Sequence, residues 1–234
     1  MSEWDDDGAG DAAGQHQEGS RMTAEPQALR SDARRNRDQI IAAAKTLYAQ
    51  RGLDEVPMEE LARQAGVGVG TLYRRFPDRD TLIREITLDS FLTLLARARE
   101  SLVDGGLGWE SFVRDLATSP EMRFTLRLTV FSPGSGQVVW NDPRLREVRD
   151  EITDTLDELV RAGQEAGTLR ADVGTGDVVL LVALVIIGLQ ATDHGQADAR
   201  HERMLALSLD GLRATSNQPL PDGPLSSNAL GPRR

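Results

Sequence analysis

Three observations on the 234-residue chain predict an all-α fold. Apolar residues recur at three- and four-residue spacing through most of residues 32–214. No segment shows a convincing two-residue alternation, and Gly or Pro punctuates the periodic stretches where a helix would start or stop. The expected architecture is a small three-helix N-terminal head, continued through a fourth helix into a larger helical C-terminal body.

Residues 1–30 carry seven acids against two arginines, with much Gly and Ala and no apolar period, and are expected to form a disordered acidic tail. From Asp32 to Arg51, the residues Ile40, Ile41, Ala44, Leu47 and Tyr48 make one helical stripe, and Gly52 is placed to close it as a left-handed cap. A short helix follows Pro57, which suits a first turn because it has no N–H to leave unpaired. Glu59 and Glu60 then sit favourably at the positive end of the helix dipole. Leu61, Ala62 and Ala65 face inward, Gly66 breaks the helix, and Val67 plugs a tight turn. A third helix, about Val69 to Phe76, stops at Pro77. Asp78 caps a fourth, with Leu82, Ile83, Ile86, Phe91, Leu92 and Leu95, that runs to about Val103.

Behind Gly105-Gly106, Trp109, Phe112, Val113 and Leu116 share a face. Ser119-Pro120 opens a helix expected to end near Phe131, and residues 132–141 read as a loop. Asp142-Pro143 opens a long helix carrying Leu145, Val148, Ile152, Leu156 and Leu159 and closing at Gly167. Two more helices are expected, over about Gly176–Ala191 and Ala199–Ala214. The first is apolar nearly all round and needs burial, by its own domain or by a partner subunit. Residues 215–234, with Pro219, Pro221, Pro224 and Pro232, are expected as a second disordered tail. The domains read as 31–87 for the head and 88–214 for the body, with tails 1–30 and 215–234.

Composition narrows the function. There is no Cys, which removes disulfides and thiolate metal sites, and His16, His194 and His201 are too scattered for a metal cluster. His194, between Asp193 and Gly195, reads as loop and not as a catalytic base. No GxSxG, Gly-rich phosphate loop, paired-carboxylate or HExxH pattern occurs, so no catalytic residue, cofactor or metal is expected and the chain is not read as an enzyme. The acidic, polar N-terminus is unlike a signal peptide, and Val178 to Leu189 is about half the length of a membrane span. A cytoplasmic protein with no membrane partner is expected. The net charge of −10 is unevenly spread. Residues 31–87 hold ten bases against nine acids, so the head is the near-neutral segment, and local charge steers nucleic-acid binding more than the total does.

The informative stretch is Pro57–Phe76, PMEELARQAGVGVGTLYRRF, two short helices joined by a Gly-Val turn. This is the helix-turn-helix design, whose second helix enters the major groove of double-stranded DNA. Its chemistry suits that use. Gly68 and Gly70 let backbone approach phosphate, Thr71 can bond a base edge or phosphate, and Tyr73 offers a phenol. Arg74, Arg75 and Arg79 supply cations that neutralise phosphates or read guanine.

Arg34 to Ile86 resembles the N-terminal DNA-binding domain of TetR-type regulators. The resemblance is carried by Leu61-Ala62, Ala65-Gly66-Val67, Gly70-Thr71-Leu72-Tyr73, Phe76 and Leu82, and VPMEELARQAGVGVGTLYRRFPDRDTLI is similar to an actinobacterial subset of the family. It implies that Val69, Thr71, Arg74 and Arg75 face the groove and that Tyr73 and Arg79 contact the DNA backbone. Val56-Pro57 stands where the family usually has a Thr or Ser cap on the second helix, and Arg79 where it usually has Lys. The resemblance further implies a homodimer on a palindromic operator, nucleoid-associated when bound, released by a small-molecule effector held in the C-terminal body. Candidates for lining that pocket are Trp109, Phe112, Leu116, Phe124, Phe131 and Trp140, although aromatics at helical spacing are more often core. The long helix from Pro143 to Ala166 and the last helix, around Met204, Leu205 and Leu212, are the expected dimer faces. The alternative is a ligand-binding or protein-interaction module that has lost specific DNA binding.

Overall fold

The computed structural model describes residues 15–51, 55–119, 141–188, 197–215 and 218–227. In chain order the helices are α1 (Gln15–Arg51), α2 (Met58–Gln64), α3 (Val69–Arg75), α4 (Arg79–Leu102), α5 (Gly108–Thr118), α6 (Pro143–Glu165), α7 (Thr175–Gly188) and α8 (Ala197–Leu212). A single 3-10 turn, Gly105–Leu107, links α4 to α5. Among the described residues the nearest approach to a sheet is one isolated antiparallel bridge between Leu169 and Arg213. The fold is all-α.

Local signals set the helix ends. Asp78 is the N-cap of α4 and accepts from the Thr81 N–H at 2.6 Å. That contact holds the Asp78 carboxyl below its usual range. Asp142 caps α6 in the same way through the Arg144 N–H, with Pro143 in the first turn. Between α2 and α3 the chain reverses at Gly66, at φ +68°, a left-handed conformation that only glycine adopts without strain. The Gly66 N–H bonds the Arg63 carbonyl and the Val67 N–H the Ala62 carbonyl, which completes a Schellman cap. Pro57 precedes α2 as its N-cap in extended backbone, just outside the first turn where its sequence context put it.

Apolar burial divides into two clusters. The head cluster joins Ile40, Ile41, Ala44, Leu47 and Tyr48 of α1 to Leu61, Leu72, Phe76, Leu82, Ile83 and Ile86. Leu145, from the first turn of α6, is buried in this same cluster. The body cluster gathers Leu95 and Ala98 of α4 with the buried faces of α5, α6, α7 and α8. Phe91 packs against both clusters, so α4 runs continuously from one core into the other.

Part of each expected tail is among the described residues. Backbone from Gln15 to Arg30 is helical and continues into the packed part of α1, although this stretch has no apolar period. Extending a formed helix fixes one residue per hydrogen bond, so backbone can follow a packed nucleus without an apolar stripe of its own. At the other end, residues 218–226 form no helix but are strapped onto the body. Arg170, itself buried, forks onto Asp172 at 2.6 and 2.8 Å and donates to the Gln218 carbonyl at 2.8 Å. Asp172 in turn accepts from the Leu220 N–H, and Asp177 from the Leu225 N–H, each at 2.9 Å. Gly176 N–H returns a bond to the Leu225 carbonyl, and Ser227 donates to Asp157 at 3.0 Å. The strap lies so close that a Cβ on Gly174 would stand 2.1 Å from the Leu225 oxygen. Hydrogen bonds to carboxylates leave no apolar periodicity, which is why composition alone reads this segment as disordered.

The helix expected over residues 120–131, with Phe124 and Phe131, and the loop holding Trp140 lie outside the described residues. The long helix closes as expected, with Gly167 at φ +68°.

Candidate nucleic-acid interface

α3 is seven residues long and buries only Leu72. That single anchor, fully buried beside Phe76, fixes the helix on the head core and leaves the other faces outward. Val69 is 41% and Tyr73 40% exposed, and Gly68, Gly70, Arg74 and Arg75 are exposed as well, with Thr71 half-buried. Val69 and Tyr73 are thus part-exposed apolar side chains on the outward face of a seven-residue helix. Seven of the eight sequence-predicted residues therefore gather on α3 and its N-cap, while Arg79 opens α4. Gly68 and Gly70 have open space where a Cβ would stand, 3.9 Å at nearest, so neither is glycine because its own fold crowds it.

Two of the eight predicted residues have protein partners. The Tyr73 hydroxyl donates to Glu59 Oε1 at 3.1 Å, across from α3 to the first turn of α2. That bond holds the phenol above its usual range. Arg79 is half-buried, and its Nη2 donates to the Val56 carbonyl at 2.8 Å, tying the start of α4 to the residue before Pro57. The adjacent acid, Glu60, pairs with Arg51 at 2.7 Å. Sequence reasoning assigned Glu59 and Glu60 to the helix dipole alone. The i to i+14 relation of Glu59 and Tyr73 crosses the turn, and no local spacing rule reveals it.

Head and body are joined by charge as well as by Leu145. Glu85 of α4 accepts from Arg37 of α1 and from Arg144 of α6, each at 2.9 Å. Burial alone would raise its carboxyl, but the two guanidinium groups outweigh that and hold it below the usual range. Lys45 of α1 donates to Asp89 of α4 at 2.8 Å.

In the body, Trp109, Phe112 and Leu116 are all buried on one face of α5. Trp109 is a packing residue: its ring lies against Gly163, where a Cβ would stand 2.6 Å from Cδ1, and its indole N–H donates to Thr168 at 3.0 Å. Among the described residues, Ser90 of α4 and His201 of α8 each carry a buried side-chain atom with no hydrogen-bond partner, Ser90 Oγ and His201 Nε2. Leu156, Leu205 and Leu212, expected at or near a dimer face, are buried in the body's own core. Among the described residues, Leu180, Leu184, Met204 and Leu207 are the large apolar residues that α7 and α8 leave exposed, Leu184 by 66%. No helix among the described residues is long and apolar enough to cross a membrane.

Comparison with known proteins agrees with this layout. Residues 40–86 match the family described as bacterial regulatory proteins, tetR family, and residues 109–214 match the C-terminal domain of SbtR-like transcriptional regulators. An HTH-type transcriptional regulator of Staphylococcus aureus (strain USA300) is 37% identical over 68 residues, 28% of this chain and 37% of that protein, so the match spans well under half of the relative. A TetR transcription regulatory protein from Mycobacterium vanbaalenii is 33% identical, with a TM-score of 0.57 over 79% of this chain and 99% of that one. A TetR transcriptional regulator from Streptomyces coelicolor is 30% identical, with a TM-score of 0.55 over 77% and 99% of the two chains.

Proposed function

The chain belongs to the TetR family of DNA-binding transcriptional regulators, and on that premise we propose that it is a repressor, released from a palindromic operator by a small-molecule effector. The observation that carries the reading is α3: one buried leucine, and an outward face of Val69, Tyr73, Arg74 and Arg75. In the complex, Val69, Thr71, Arg74 and Arg75 meet base edges and Gly68, Gly70, Tyr73 and Arg79 lie along the phosphates.

The operator-bound form is a homodimer, which presents two heads to two half-sites. Its interface is the exposed apolar surface of α7 and α8, Leu180, Leu184, Met204 and Leu207. The effector enters the body beside Phe112 and Leu116 of α5; Phe124, Phe131 and Trp140, candidates with them, lie outside the described residues. Trp109 on the same face is already packed on Gly163 and bonded to Thr168. Ser90 and His201 are polar groups available to an effector, and Ser90 lies on α4, the helix that continues into the head. To act at all, the effector must bind the DNA-incompetent head spacing better than the competent one.

A gel shift on the DNA flanking the protein's own gene tests the reading. A retarded band that is lost on adding an extract of small molecules from the source cell supports a released repressor. The tethering of Tyr73 by Glu59, together with the missing hydroxyl cap at Pro57, favours a second reading in which the head no longer binds DNA. Absence of any shift selects it.

A further inference from the structure

We propose that Glu59 is an affinity-tempering residue, one that holds the Tyr73 phenol away from the DNA backbone until phosphate displaces it. The inference rests on the DNA-binding reading above and concerns the same face. The Tyr73 hydroxyl has one proton, and in the free protein it is donated to Glu59 Oε1 at 3.1 Å. A phosphate oxygen bonded to the same phenol would compete for that proton. It would also stand within two hydrogen-bond lengths, roughly 6 Å, of the Glu59 carboxylate.

Both consequences oppose binding. The acceptor changes from carboxylate to phosphate with little net gain, and two anions are drawn together. The charge of Glu59 is not set off as that of its neighbour is. Glu60 is paired by Arg51 at 2.7 Å, whereas the Glu59 carboxylate is exposed and accepts from a neutral phenol. Arg79, a cation that acts on that phenol, already donates to the Val56 carbonyl. A face otherwise composed of Val69, glycines, hydroxyls and arginines thus carries the Glu59 carboxylate at its edge, in contact with a residue that should touch phosphate. The contribution of Tyr73 is masked as a result.

Masking has a signature that a merely structural hydrogen bond lacks. The test measures fluorescence anisotropy of a labelled mixed-sequence 30-base-pair duplex with the full-length protein, since a phosphate contact is independent of sequence. Wild type is compared with Glu59→Gln, Tyr73→Phe and the double variant, with circular dichroism confirming the fold of each. Glu59→Gln is expected to tighten binding about fivefold at low salt, and less as salt rises. Tyr73→Phe should change wild-type affinity less than about twofold but weaken the Glu59→Gln protein about fivefold. Unchanged or weaker binding by Glu59→Gln overturns the proposal, and so does a Tyr73→Phe effect that is equal in the two backgrounds. Arg74→Ala separates the readings. If it weakens binding while Glu59→Gln does nothing, DNA binding stands and the tempering role falls. If no form binds the duplex, both fall.

Discussion

Arg144 of α6 donates to Glu85 of α4 across 2.9 Å, and the next residue, Leu145, is buried in the head cluster. The first turn of the body's long helix is therefore a structural part of the head. Leu145→Ala should cost about 2–5 kcal/mol, the range for a buried leucine that leaves a cavity. Hydrogen exchange should then rise in α1 and α4 amides before it rises in α5. Arg144→Ala removes a half-exposed ion pair and should cost no more than about 1 kcal/mol. Faster exchange confined to the body in the Leu145→Ala protein would show that this residue does not support the head.

Acid should loosen the same junction. The carboxyl of Glu85 is held below its ordinary value of 4.5, so its folded form binds its proton less readily than the unfolded chain does. Its contribution is fully present above about 4.5 and is lost as the pH falls through the lower folded value. In Glu85→Gln that pH-dependent part should be missing, and the stability curves of the two proteins should converge toward low pH. Parallel curves down to pH 3 would contradict the assignment.

Truncation after Thr215 should be costly, because it removes the strap held by Arg170, Asp157, Asp172 and Asp177. Several net hydrogen bonds of about 0.5–1.5 kcal/mol each are at stake, so a fall of several degrees in melting temperature is expected. Gly176→Val should give a smaller fall in the full chain, since its Cβ would stand 2.6 Å from the Ser226 oxygen. A truncated protein that melts with wild type would show that the strap adds nothing.

The exposed leucines of α7 and α8 separate association from folding. Leu184→Asp and Leu207→Asp should give folded monomers by light scattering, whereas Leu205→Asp should unfold, because Leu205 is 3% exposed within its own chain. Folded dimers from both of the first two would move the interface elsewhere.

Where the sequence was readable, and where it was not, follows from the kind of interaction involved. Asp78, Gly66, Asp142 and Gly167 mark helix ends through local bonds a few residues long, so their spacing announces them. The head core follows from periodicity in the same way. Glu59–Tyr73, Glu85–Arg144 and Arg170–Gln218 join residues 14, 59 and 48 positions apart, and nothing periodic encodes such pairs. Leu205 and Leu184 are also indistinguishable as letters, since both sit on apolar helices. Only packing tells which one the chain buries itself.

Recognition of DNA by α3 is tested most directly by Arg74→Ala and Arg75→Ala. Both side chains are exposed, so neither substitution should disturb the fold. Anisotropy would be measured on a duplex recovered from the protein's own upstream region and on a mixed-sequence duplex, at two salt concentrations. An arginine that reads a base should lose roughly 1–3 kcal/mol of discrimination between the two duplexes, and one on phosphate should weaken both and flatten the salt dependence. Because a dimer presents two heads, a tenfold loss at each becomes about a hundredfold in all. A loss of at least about tenfold is expected for one of the two folded variants. Wild-type affinity and wild-type salt dependence in both would contradict DNA recognition by α3.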